Sequence, residues 1–78
     1  MDKLAKFLRG VPHLHKRLSH ALREIKAGHL EGLDVKPLQG KKNIFRCRVG
    51  KVRILFIREN GQNIPFDMGF RSDIYKNL

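Results

Sequence analysis

Residues 44–58, IFRCRVGKVRILFIR, alternate in type on both sides of Gly50-Lys51. A period of two is the signature of a strand that buries one face. Phe45, Cys47 and Val49 fall on one side of residues 44–49, and Ile44, Arg46 and Arg48 on the other. Gly50-Lys51 is a tight-turn signal, and residues 52–58 continue with Val52, Ile54 and Phe56 on one face and Arg53, Leu55 and Ile57 on the other. Asn60-Gly61 marks a second turn. Residues 63–70 then give a third strand, with Ile64, Phe66, Met68 and Phe70 on one face. Pro65 cannot donate to a ladder, so this third strand is expected at a sheet edge.

The region before Gly32 has helical spacing instead. Asp2 is placed to cap a helix over residues 3–9, with Leu4, Phe7 and Leu8 on one side and Gly10 at its end. Pro12 fits the first turn of a second helix. Leu14, Leu18, Ala21, Leu22 and Ile25 form its apolar stripe, Lys16, Arg17, Arg23 and Lys26 lie mostly off it, and Gly28 stops it. The expected fold is α+β: an N-terminal helical hairpin on one face of a three-stranded antiparallel sheet, in a single domain over residues 1–78. Phe45, Cys47, Val49, Ile54, Phe56 and Met68 should point inward.

A chain of 78 residues buries only roughly 60–65% of its unfolded surface, so outside help with stability is expected. Disulfides cannot supply it, because Cys47 is the only cysteine. One Cys and four scattered His lack zinc-ligand spacing, and His13 and His15 do not share a helix face. No metal and no cofactor is therefore expected. The His residues read as surface groups and Cys47 as a small core residue. A protein partner is the remaining source. The N-terminus lacks a signal-peptide pattern and no apolar run approaches a membrane span, so no membrane is implied and the cytoplasm is the default.

Charge narrows the partner class. Seventeen Lys and Arg against seven Asp and Glu leave +10, which calls for an anionic partner. Between Asp34 and Glu59 stand Lys36, Lys41, Lys42, Arg46, Arg48, Lys51, Arg53 and Arg58 with no acid. Arg46, Arg48 and Arg53 share one face of the first hairpin. Arg71 follows the third strand, and Tyr75 comes four residues later. Guanidinium groups pair two phosphate oxygens at once, and such charges would stabilise a pentacoordinate phosphate. Lys41, Lys42 and Lys51 belong to the same patch. Plain solvation accounts for any one of these cations. The charge lies, however, beside apolar Leu55 and Ile57, which a face meant only for water would not carry.

The string Gly32–Arg53, GLDVKPLQGKKNIFRCRVGKVR, and the ending Gly69-Phe70-Arg71-Ser72-Asp73-Ile74-Tyr75 resemble the middle and terminal signatures of the RelE/ParE toxin superfamily. The resemblance implies a RelE-like fold lacking its usual first strand, and the toxin of a type II toxin–antitoxin pair. It implies a metal-independent endoribonuclease that cleaves ribosome-bound mRNA by 2′-hydroxyl attack on the adjacent phosphate. By the same carry-over Arg53 is the phosphate-binding arginine, Arg71 the arginine of the terminal signature and Tyr75 the catalytic tyrosine. Arg46 and Arg48 stand where relatives carry two basic residues, often lysines, and Phe70 where many place a histidine. Arginine does not release its proton near neutral pH, so Arg46 and Arg48 are expected to orient RNA while Tyr75 moves a proton or aligns the 2′-hydroxyl.

An acidic antitoxin is the implied partner. It, or a second copy in a homodimer, would cover the bare third-strand edge together with Leu55 and Ile57. The alternative is a binder without chemistry: a ParE-like gyrase poison or a catalytically inactive relative that only binds antitoxin.

Overall fold

Asp2 caps the first helix: its Oδ1 accepts from the Leu4 amide at 3.0 Å, satisfying one of the amides that a helix start leaves unpaired. The computed structural model describes residues 2–74. Its elements in chain order are α1 (Lys3–Gly10), a 3₁₀ turn (Pro12–Leu14), α2 (His15–Ala27), β1 (Asp34–Pro37), β2 (Ile44–Val49), β3 (Val52–Glu59), β4 (Gln62–Phe70) and the short α3 (Arg71–Ile74). Pro12 opens the 3₁₀ turn, where a missing amide costs nothing. Gly28 ends α2 in the left-handed conformation, φ 81°, which glycine adopts without steric cost.

The class is α+β, with a four-stranded antiparallel sheet in the order β1-β2-β3-β4. The expectation of three strands is corrected by β1, which pairs Asp34 with Arg48 and Lys36 with Arg46. Its four residues, DVKP, are too short and too polar to show a period. Pairing with β2, not its own pattern, makes it a strand. The helical hairpin is corrected as well. α1 and α2 each pack against β4 more extensively than against one another, so the two helices are laid side by side on the sheet.

The inward register holds. Leu18, Ile25, Cys47, Val52, Ile54 and Phe56 are fully buried, with Met68 nearly so, and Phe45 and Val49 pack against this cluster. Phe45 stacks on Phe56 at 5.4 Å. Burial of each large apolar side chain contributes about 1.5–3 kcal/mol, so this layer is the main stabilising element.

β4 lies at an edge, as Pro65 requires, but its expected face breaks. The register shifts so that Leu55 faces Asp67 while Phe56 faces Pro65, leaving Phe66 as an inserted residue. A bulge is how an edge strand accommodates a residue that cannot join the ladder. Before the bulge Asn63 and Pro65 share the helix face, and Asn63 Nδ2 donates to the Ile25 carbonyl at 3.1 Å. After it Met68 and Phe70 do. Ile64 falls beside Ile57 on the other face and stays exposed, as does Phe66.

The face away from α1 and α2 is not bare. Gly69 stands opposite Arg53 on this face, and α3 packs across β3 and β4 there. A Cβ at position 69 would lie 3.3 Å from Ile74 Cδ1, so α3 sits close against this position of β4. Leu55, expected as an open apolar spot awaiting a partner, is completely buried within the chain. Ile57 is half-buried. Among the described residues no helix is long and apolar enough to cross a membrane.

Candidate anion-binding site at the β2–β3 turn

Gly50 turns the chain between β2 and β3 at φ 61°, and the cations gather around this turn. Arg53 curls back onto it: Nη1 donates to the carbonyls of Gly50 at 3.1 Å and Val52 at 3.3 Å. The side chain is thereby fixed, and Arg53 is 9% exposed. Arg71 begins α3, and its amide donates to the Lys51 carbonyl at 3.1 Å. That single bond ties the end of β4 to the turn and sets Arg71 beside Lys51. Gly50, Lys51, Arg53, Phe70 and Arg71 together line an open cleft of ≈ 510 Å³.

Among the described residues no carboxylate forms an ion pair with Lys51, Arg53 or Arg71. Arg53 is held by neutral carbonyls, so its full charge is available to an incoming anion. Arg17 of α2 approaches the same turn, its Nη1 3.8 Å from where a Gly50 Cβ would sit. Arg17 lies off the apolar stripe of α2, where spacing marks it only as a surface cation. Nothing in the spacing of α2 alone could have paired it with a turn more than thirty residues later.

Arg46 and Arg48 behave differently. Arg46 Nη1 donates to the Asp34 carbonyl at 2.9 Å and to its Oδ1 at 3.2 Å. Arg48 Nε meets Asp34 Oδ2 at 2.8 Å. Two guanidinium groups thus close on one carboxylate. Burial works to raise the Asp34 pKa, but the Arg46 hydrogen bond and the charges of Arg46, Arg48 and Lys36 outweigh it and hold the carboxyl below its ordinary range. Both arginines do face away from the helices, as the alternation requires. They are engaged, however, by a counter-ion that reaches them across the β1–β2 pairing.

Lys41 and Lys42 are exposed in the loop between β1 and β2. They lie at the far end of β2 from Lys51, about 20 Å along a six-residue strand, so they do not join the cleft. Tyr75 lies outside the described residues. Cys47 is fully buried. Burial, then the Asp34 charge, push its thiol pKa up, which suits a core residue and not a nucleophile. The histidines are exposed. His20 and His29 both reach Glu24, at 3.8 and 3.1 Å. Among the described residues no three His, Cys, Asp or Glu side chains gather where they could hold a metal ion.

What the cleft can do follows from its parts. Two guanidinium groups and an ammonium converge on open space next to an exposed ring. Such a set binds a phosphate by charge-assisted hydrogen bonds and favours states in which that phosphate gains negative charge. Comparison of the chain with protein-family models, with curated proteins and with solved structures finds no match.

Proposed function

We propose that this chain is a toxin of the RelE/ParE class, the basic half of a type II toxin–antitoxin pair, acting in the cytoplasm as a metal-independent endoribonuclease on ribosome-bound mRNA. The observation that carries the reading is the convergence of Lys51, Arg53 and Arg71 on one cleft without a carboxylate partner among the described residues. Arg53 and Arg71 hold the scissile phosphate. The O2′–P bond forms as the P–O5′ bond breaks, the 2′-hydroxyl loses its proton, and the departing 5′ oxygen gains one. The guanidinium groups stabilise the charge that builds on the phosphate in between. Tyr75 moves a proton or aligns the 2′-hydroxyl, a role that rests on the sequence resemblance. The partner is an acidic antitoxin that neutralises the cationic turn and lies along the β4 edge, where Ile64 and Phe66 are exposed.

A second reading, binding without cleavage, draws on the Asp34 clamp. Two of the basic residues expected to orient RNA are held by a carboxylate instead. Programmed ribosomes separate the two. The first reading expects the purified chain to cut the bound message, leaving a 5′-hydroxyl end, and Arg53→Ala to lose that cleavage while its melting curve stays cooperative. Growth arrest by a wild-type chain that cuts no message, even on ribosomes, would leave the binding-only reading in possession.

A further inference from the structure

Phe70 is exposed although its neighbours on the same face of the sheet are buried. Phe56 on β3 is fully buried, and Met68, two residues before Phe70 on the same face, is 5% exposed; Phe70 is 40% exposed. From the helix side, at the end of β4, it borders the cleft whose other lining residues are Gly50, Lys51, Arg53 and Arg71. A ring offers nothing to a phosphate. It offers a flat apolar surface to a base. Its position is fixed from two sides: Phe7 of α1 meets it edge to face at 5.4 Å between centroids, and the next residue's amide is bonded to the Lys51 carbonyl. The ring and the Arg53 guanidinium are therefore held in place before any ligand arrives, which lowers the ordering cost of binding.

We infer that Phe70 is a stacking platform for one unpaired base of an RNA strand whose phosphates lie on Lys51, Arg53 and Arg71. This rests on the reading of the cleft as an RNA site and adds to it the form of the ligand. Cationic grooves that carry an exposed aromatic ring take single strands, because every unpaired base has a free π-face. The bases of a duplex are covered by their neighbours, so a helix would present only backbone to this cleft. The ring sets preference among strands by stacking strength, not by hydrogen bonding.

The test compares two ligands of equal length and charge, by fluorescence anisotropy at low salt. One is an unstructured 2′-O-methyl RNA, which cannot be cut by its own 2′-hydroxyl. The other is an abasic sugar–phosphate oligomer. The wild-type chain is expected to bind the RNA at least about 10-fold more tightly than the abasic oligomer, the range of one base stacked on an aromatic ring. Phe70→Leu, which keeps apolar bulk against Phe7, should remove that preference and leave abasic binding within about twofold. Phe70→Tyr should restore it. Equal weakening of both ligands by Phe70→Leu makes the ring a packing element and overturns the inference alone, as does a wild type that binds both ligands equally. A wild type that binds neither ligand overturns the RNA reading of the cleft as well. The wild-type contrast stands even if Phe70→Leu does not fold.

Discussion

The sheet face away from α1 and α2 has two halves that carry the same kind of residue to different ends. Over β1 and β2, Arg46 and Arg48 close on Asp34. Over β3 and the start of α3, Arg53 and Arg71 meet carbonyls and open space. The difference is not in the arginines or in their alternation. It lies in one carboxylate that pairing brings opposite Arg48. A basic face is thus divided into a half where charge is compensated by Asp34 and a half where it meets no carboxylate among the described residues. Buried or half-buried charge is tolerable when paired. At the turn the Arg53 guanidinium is paired with two neutral carbonyls.

The largest expected effect sets the halves against each other directly. Arg53→Ala should lower cleavage of ribosome-bound mRNA by about 10²–10³-fold, the usual loss for one charged transition-state contact. Arg46→Ala should cost no more than about tenfold, because a contact that must first displace Asp34 returns only part of a charged hydrogen bond. Single-turnover rates on the same ribosomes measure both. Equal losses would erase the distinction between the halves.

Much of this molecule was legible in the sequence, and what was not has a common cause. The hairpin 44–58, the inward face from Phe45 to Met68, the Asp2 cap and the Gly28 stop all rest on local signals, period or cap chemistry, which the structure bears out. β1 was missed because DVKP has no period of its own and exists as a strand only through β2. The bulge at Phe66 was missed because Pro65 announces an edge but not how the chain gets past it. In the site, Arg53 and Arg71 were singled out together and share a cleft. Arg17 and Asp34 were not, because each acts across a tertiary contact that no spacing encodes. Arg46 and Arg48 stand on the face their alternation requires, while the Asp34 carboxylate between them arrives on β1 and has no local signal.

Moderate in size is the effect of filling the approach of α3. Gly69→Val should cost about 1–3 kcal/mol, the usual range for added bulk in a packed contact, because the new side chain meets Ile74. Gly69→Ala should cost less, since the nearest atom is the end of a flexible side chain. As α3 lifts, Arg71 leaves the cleft and cleavage falls, while the Asp34 clamp on the far strands stays as it was. Thermal melts combined with backbone chemical shifts check this. Shifts at Val35 and Lys36 as large as those at Lys51 would mean the halves are mechanically one.

Smaller again is the release of the clamp. Asp34→Asn removes the charge that holds Arg46 and Arg48 and keeps the side chain's shape. RNA affinity should rise a few-fold at low salt, and the salt dependence should steepen by about 0.7 for each further phosphate that a freed arginine neutralises on a single strand. Amide exchange in β1 should quicken at the same time, because the strand loses its anchor. A salt dependence identical to wild type would show that the β1–β2 half does not face the RNA at all.

The smallest effect is the same release driven by protons. The Asp34 carboxyl is held below its ordinary range because the Arg46 hydrogen bond and the charges of Arg46, Arg48 and Lys36 outweigh its burial. A carboxylate with a depressed folded-state pKa contributes stability that is fully present above its unfolded value, about 4 for aspartate, and is lost as pH falls through the folded value. Acidification from pH 6 to well below the ordinary aspartate range should therefore loosen β1 from β2, read as faster exchange at the Val35 and Lys36 amides once the intrinsic pH dependence of exchange is removed. The turn should not respond, because its arginines do not titrate there and no carboxylate among the described residues is paired with them. Asp34→Asn should abolish the response of β1 and leave the turn unchanged. Acid sensitivity that persists in Asp34→Asn would move the titrating group elsewhere, and with it the reason the two halves differ.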